Sequence, residues 1–201
     1  MERPFKIAFI VLSVIVSACG ENKSVNTLKN PIVERAEDVV LGNENAPATV
    51  FMYGSYHCNY CRYFFSRTYP ELKKNFLDTD QVKMVIKWVD PSDNPQILRA
   101  LQAASCISQY GTYEKFHELL LVNPDVIFTE DFTGLVDDIM MQNPEIEECI
   151  MSDPDFTYLR NNMKEFSNND LTGTPTFVLN NHVYSGFISY ENFVKLLKKE
   201  F

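Results

Sequence analysis

The sequence predicts an α/β fold in the order strand, helix, strand, long helical insertion, strand, strand, helix. Three observations predict it. The run "ATVFMYGSY" at 48–56 is rich in β-branched and aromatic residues and gives way at Cys58 to apolar residues at helical spacing. A second apolar run, "QVKMVIKWVD" at 81–90, ends in the turn signal Pro91-Ser92-Asp93-Asn94-Pro95. Near the C-terminus "TPTFVLN" and "HVYSG" meet at Asn180-Asn181, a pair that tolerates the positive φ of a two-residue hairpin turn.

Taken in order, the first strand reads as buried on both faces. The helix after it carries Cys61, Phe64, Phe65, Thr68, Leu72 and Phe76 on one side, and Pro70 should kink it by removing a donor and crowding the preceding turn. Strand, helix and strand make a βαβ unit. From Gln96 to about Asn169 the pattern is helical, with breaks expected near Gly111, Asn123-Pro124, Asn143-Pro144 and Asp153-Pro154. Phe128 and Phe132 are expected to pack the core of this block. A closing helix is capped by Ser189, buries Phe193, Leu196 and Leu197, and places Lys195, Lys198 and Lys199 near its C-terminal end, where cations complement the dipole. Removing the helical block leaves a thioredoxin-like core. The expected organisation is a signal peptide at 1–18, a polar tether at 19–37, the core at 38–95 and 170–201, and the inserted helical domain at 96–169.

The chain has 201 residues, 45% of them hydrophobic, enough for one core with a sizeable insertion. Its formal charge of −9 leaves no basic stripe for a nucleic-acid partner. At the N-terminus Arg3 and Lys6 precede the apolar run Ile7 to Val16, which is too short to span a bilayer and ends in Val16-Ser17-Ala18-Cys19. This resembles a bacterial lipoprotein signal, in which the cysteine is lipidated and becomes the first residue of the mature chain. Cys19 would then be a membrane anchor; the alternative is an ordinary secretory signal or a signal anchor. Either reading places the mature protein outside the cytoplasm, where disulfides form and persist. Four cysteines remain: Cys58, Cys61, Cys106 and Cys149.

Cys58-Asn59-Tyr60-Cys61 stands where the first strand meets the helix. If Cys58 caps that helix, free amide donors and the positive end of the dipole favour its thiolate, while Cys61, one turn in, is more buried and keeps its proton. Such asymmetry suits thiol–disulfide exchange. The same spacing is also half of a zinc site or a structural bridge. A structural zinc site usually wants a second pair, however, and His57, His117 and His182 form none. No metal and no cofactor is expected.

"GNENAPATVFMYGSYHCNYCRYF", "AASCISQYGTYEKFHELLL" and "LTGTPTFVLNN" resemble three successive landmarks of the DsbA-like family of exported bacterial thiol–disulfide oxidoreductases, from about Leu41 to the C-terminus. The resemblance implies that Cys58 and Cys61 are the redox pair, that Pro175 is cis and faces it, and that the backbone of Thr174 binds an extended client peptide as an added strand. It implies exported cysteine-containing proteins as clients and a membrane, quinone-linked partner as reoxidase.

Strong oxidants of that family carry proline and histidine between the cysteines, whereas this chain has Asn59 and Tyr60. His57 could substitute for the missing histidine if protonated and turned inward, which points to an oxidase of moderate strength with a Cys58 pKa below that of a free thiol. Tyr60 with Thr174 also resembles the isomerase and reductase relatives. Those isomerases dimerise through a separate N-terminal domain that the short polar stretch after Cys19 cannot supply, so a monomeric body is expected. The rival class is a noncatalytic lipoprotein that binds a partner or a metal. Cys106 and Cys149 read either as a structural disulfide or as two separately buried thiols. Tyr56 or Tyr60 is expected at an apolar client rim.

Overall fold

The computed structural model describes residues 26–201. The signal segment and Cys19 lie outside the described residues. Strands β1 (Val39–Leu41), β2 (Ala48–Gly54), β3 (Val82–Trp88), β4 (Thr176–Leu179) and β5 (His182–Ser185) form one sheet in the order β1-β3-β2-β4-β5. β2 and β3 are parallel, with Val50 opposite Met84, and the other neighbours are antiparallel. Strand β1 lacks a counterpart in the sequence reading. Three residues carry too little alternation to stand out, although Val39-Val40-Leu41 before Gly42 has the composition of a short strand.

A parallel pair needs a crossover, here α1 (Asn59–Tyr63), a π-helical turn (Phe64–Thr68), α2 (Tyr69–Leu72) and a second π-helical turn (Lys73–Leu77). Pro70 lies just inside α2, between the two wide turns, so the expected kink is distributed over both. This helical run and α8 (Tyr190–Glu200) cover one face of the sheet, where Phe64, Leu72, Phe177, Phe193 and Trp88 are fully buried. On the other face Tyr53, Val89 and Val178 pack against Phe166 and Leu171.

The insertion comprises α3 (Pro95–Tyr110), α4 (Tyr113–Val122), a 3-10 turn (Pro124–Phe128), α5 (Glu130–Gln142), α6 (Pro144–Ser152) and α7 (Thr157–Asn168). Its breaks fall at the expected Gly111, Asn123-Pro124, Asn143-Pro144 and Asp153-Pro154. Asn94 and Asn143 cap α3 and α6 through their side-chain oxygens, and each helix then begins with proline, whose missing N–H is no loss there. Cys106 of α3 and Cys149 of α6 are joined by a disulfide, Cα–Cα 5.8 Å, closing a span of 43 residues. The β4–β5 turn has φ 46° at Asn180 and 68° at Asn181, which places both in the left-handed region.

Residues 26–37, expected as part of a polar tether, are instead docked on the body. The Asn26 carbonyl accepts from Val183 N–H at 2.7 Å, and Leu28 N–H donates to the Asn181 carbonyl at 3.0 Å, so the segment extends the open edge of β5. Its polar groups are used rather than solvated: Asn30 N–H donates to Asn169 Oδ1, and Arg35 donates to Asn162 and Glu165. At the centre lies Lys87 of β3, fully buried, with Nζ 2.9 Å from Asp38 Oδ2, 3.3 Å from Glu165 Oε1 and 2.8 Å from the Val33 carbonyl. The Tyr158 hydroxyl donates to Asp38 Oδ1 at 2.7 Å, and that of Tyr53 to Glu165 Oε1 at 2.8 Å.

Removing one partner of such a cluster leaves buried charge without compensation. Lys87→Met is expected to cost about 3–5 kcal/mol in urea unfolding, whereas Lys83→Met, whose partner Glu34 is exposed, is expected to cost about 0–1 kcal/mol.

Candidate active site

β2 ends at Gly54, and the chain crosses its own C-terminal edge through Ser55, Tyr56 and His57 to enter α1. Cys58 is the N-cap of that helix: its Sγ accepts from Cys61 N–H at 3.3 Å, and its carbonyl accepts from Arg62 N–H at 3.1 Å. Cys58 is half-buried and Cys61 buried, and both are reduced. Across from them the Thr174–Pro175 bond is cis, and the Cys58 thiol donates to the Thr174 carbonyl at 2.9 Å. Thr174 and Pro175, 116 residues away along the chain, are brought to the redox pair because β4 lies beside β2, with Tyr53 opposite Thr176.

The two sulfurs differ in what surrounds them. Hydrogen bonding from the Cys61 thiol is the largest influence that lowers the Cys58 pKa, to about 5. Thr174 and the amides of Cys61 and Tyr60 add to this, and partial burial opposes it. Cys61 is pushed well above the ordinary thiol range, first by burial and then by its hydrogen bond and charge repulsion with Cys58. A carbonyl can only accept, so the Thr174 carbonyl contact belongs to the Cys58 thiol and is given up on ionisation.

The expected tuning residues reach Cys58 differently from the sequence reading. His57 turns outward, its Nε2 3.6 Å from Asp125 Oδ1 and its ring 5.3 Å from that of Phe128. It is not among the leading influences that lower Cys58. Phe128, expected in the insertion core, is 43% exposed and sits at this rim; Phe132 is buried. Asn59 accepts from Arg62 Nη2, and Tyr60 contributes its backbone amide while its ring is exposed against Tyr63. Tyr56 is core rather than rim, stacked on Trp88. Among the described residues, no three metal-ligating side chains gather anywhere. Sequence reasoning missed His117 of α4, whose ring reaches under the active-site segment; a lone histidine on an apolar helix face carries no signal of its partner.

The thioredoxin family's sequence model matches residues 34–199. The chain belongs to the thioredoxin family. Within that family its helical insertion gives it the DsbA-like fold. The alpha-DsbA1 of Wolbachia pipientis superposes with a TM-score of 0.68 at 16% identity, covering 84% of this chain and 92% of that one. The chain is 27% identical over 166 residues to a putative protein-disulfide oxidoreductase of Rickettsia felis, covering 80% of this chain and 59% of that relative's length. It is also 27% identical over 168 residues to disulfide bond formation protein D of Bacillus subtilis, covering 80% of this chain and 76% of that protein.

Of the two active-site cysteines of this thioredoxin-family protein, only Cys58 has a folded pKa below its unfolded value. The contribution of Cys58 to the stability of the reduced fold is therefore present in full above the unfolded thiol pKa and is lost as pH falls through about 5. Alkylation of Cys58 by iodoacetamide is expected to rise with a midpoint near pH 5 and then level off, with Cys61 unlabelled until the protein is denatured. A midpoint at the ordinary thiol value, about 8.5, would contradict this.

Proposed function

We propose that the protein is an exported thiol:disulfide oxidoreductase that exchanges disulfides with extracytoplasmic proteins through Cys58 and Cys61, acting as an oxidase of moderate strength. The observation that carries this reading is the opposition between a half-buried sulfur with a pKa of about 5 and a buried one with a raised pKa. In the oxidised form a client thiolate attacks Cys58 Sγ; the Cys58–Cys61 bond breaks, and Cys61 leaves and takes up a proton. A second client thiolate then attacks the client sulfur of the mixed disulfide, and Cys58 leaves as a thiolate. Two electrons pass from the client dithiol to the pair, and the low pKa of Cys58 makes it the better leaving group. In the reverse direction Cys61 resolves the adduct.

At neutral pH Cys58 is a thiolate or part of the disulfide, so the Thr174 carbonyl is free of the thiol hydrogen and can accept from a client amide. The exposed rings of Tyr60, Tyr63 and Phe128 supply apolar surface around it. Cys19 would carry a lipid that holds the monomeric body at the periplasmic side of a membrane, where a quinone-linked partner reoxidises the pair.

A thiolate at pKa about 5 lies between those of a strong oxidant and of thioredoxin. Equilibration with glutathione is therefore expected to give a potential between about −120 and about −270 mV. Cys61→Ala should accumulate mixed disulfides through Cys58, seen as adducts in nonreducing gels and absent from Cys58→Ala/Cys61→Ala. A Cys61→Ala protein that forms none would sink the exchange reading.

A further inference from the structure

We propose that His117, on the inserted helix α4, is a positioning residue for the redox pair, acting through Tyr56 on Ser55, whose carbonyl holds the Cys58 amide. This rests on the reading of Cys58 and Cys61 as that pair. The Ser55 carbonyl accepts from Cys58 N–H at 3.2 Å, and the Ser55 backbone also acts to lower the Cys61 pKa, against the burial that raises it. The Ser55 hydroxyl oxygen also accepts from His57 N–H at 3.4 Å. Wherever Ser55 sits, it sets how the N-terminus of α1 meets both sulfurs.

Ser55 is held by its neighbour. The Tyr56 ring is stacked on Trp88 with centroids 4.4 Å apart, and its hydroxyl lies 2.9 Å from His117 Nδ1. The Tyr113 hydroxyl, one helical turn before His117, is 3.0 Å from the same nitrogen. The imidazole is itself fixed on its other sides, stacked on Tyr113 and set edge-on to Phe65, one turn beyond Cys61. His117 thus lies between the segment that enters the redox helix and the helix itself.

The chemistry requires an acceptor at this place. A tyrosine hydroxyl buried without a partner costs free energy, and a neutral imidazole supplies a lone pair inside an apolar shell. Burial holds His117 down to about 3, and burial also raises Tyr56 well above the ordinary phenol value. At neutral pH the hydroxyl keeps its proton and the imidazole is neutral; in the tautomer with its hydrogen on Nε2, a buried atom with no hydrogen-bond partner among the described residues, Nδ1 accepts from Tyr56. The insertion is thereby tied to the redox centre by a directional bond, which a purely apolar contact would leave free to slide.

Tyr56→Phe removes the hydroxyl and keeps the stacking; His117→Phe keeps a ring and removes the acceptor. Each is expected to raise the midpoint of the pH profile for Cys58 alkylation by about one unit, because a looser Ser55 carries the donors off the thiolate. The double variant should raise it no further than either single one, and His117→Gln, whose side-chain carbonyl can accept, should recover part of the shift. Val136→Ala, which opens the buried core of α5, is expected to lower the urea midpoint while leaving the alkylation midpoint in place. Wild-type midpoints in the folded Tyr56→Phe and His117→Phe proteins would overturn the proposal, as would an equal shift in Val136→Ala. Should His117→Phe fail to fold, the isosteric Tyr56→Phe decides by itself. A wild-type midpoint at the ordinary thiol value would instead count against the redox reading of the pair.

Discussion

Two sulfurs one helical turn apart must occupy opposite surroundings, and much of the molecule is arranged to keep them so. The outer sulfur needs hydrogen-bond donors and an opening to solvent; the inner one needs burial that holds its proton. A strand that ends where a helix begins provides both, since the cap position collects free amides and the first turn points inward. No cationic side chain is among the leading influences on Cys58. The low pKa is made by hydrogen bonds whose geometry depends on the backbone, so the thiolate is only as stable as the segment that carries it.

The insertion is coupled to that segment at two depths. At the surface, Asp125 and Phe128 of the 3-10 turn face His57, with Asp125 Oδ1 3.6 Å from its Nε2. In the interior, His117 receives Tyr56. The disulfide between α3 and α6, by limiting the unfolded chain, favours the compact insertion, worth about 2–4 kcal/mol in typical cases. It links helices near the start and end of the block, so α4, α5 and the intervening turn are held within a closed loop.

On the far face of the sheet a different chemistry keeps the body together. Lys87 is buried beside Asp38 and Glu165; Tyr158 donates to the other Asp38 oxygen, and Tyr53 donates to the same Glu165 oxygen that Lys87 faces. A buried ion pair is weak evidence of stability in itself, because desolvation offsets the attraction. Its effect here is placement: it gathers the docked N-terminal segment, β3 and α7 at one point. The edge of β5, which would otherwise offer unpaired backbone groups, is covered by residues 26–28.

The sequence by itself determined the order of strands and helices from β2 onward, four breaks in the insertion and the position of the reactive pair. These are local matters: proline and asparagine stop and cap helices, glycine and asparagine make turns, and a CxxC at a strand end is short-range. The juxtaposition of Thr174-Pro175 with Cys58 was legible only through family resemblance. Tertiary structure alone decided which residues tune the sulfur. His57 was a reasonable candidate by adjacency, yet it turns toward Asp125, while Tyr60 acts through its amide rather than its ring. The pairing of Tyr56 with His117 and the docking of residues 26–37 were also out of reach. Each depends on a polar group finding its partner across a long stretch of chain, and hydrophobic periodicity says which face is buried without saying which buried donor meets which acceptor.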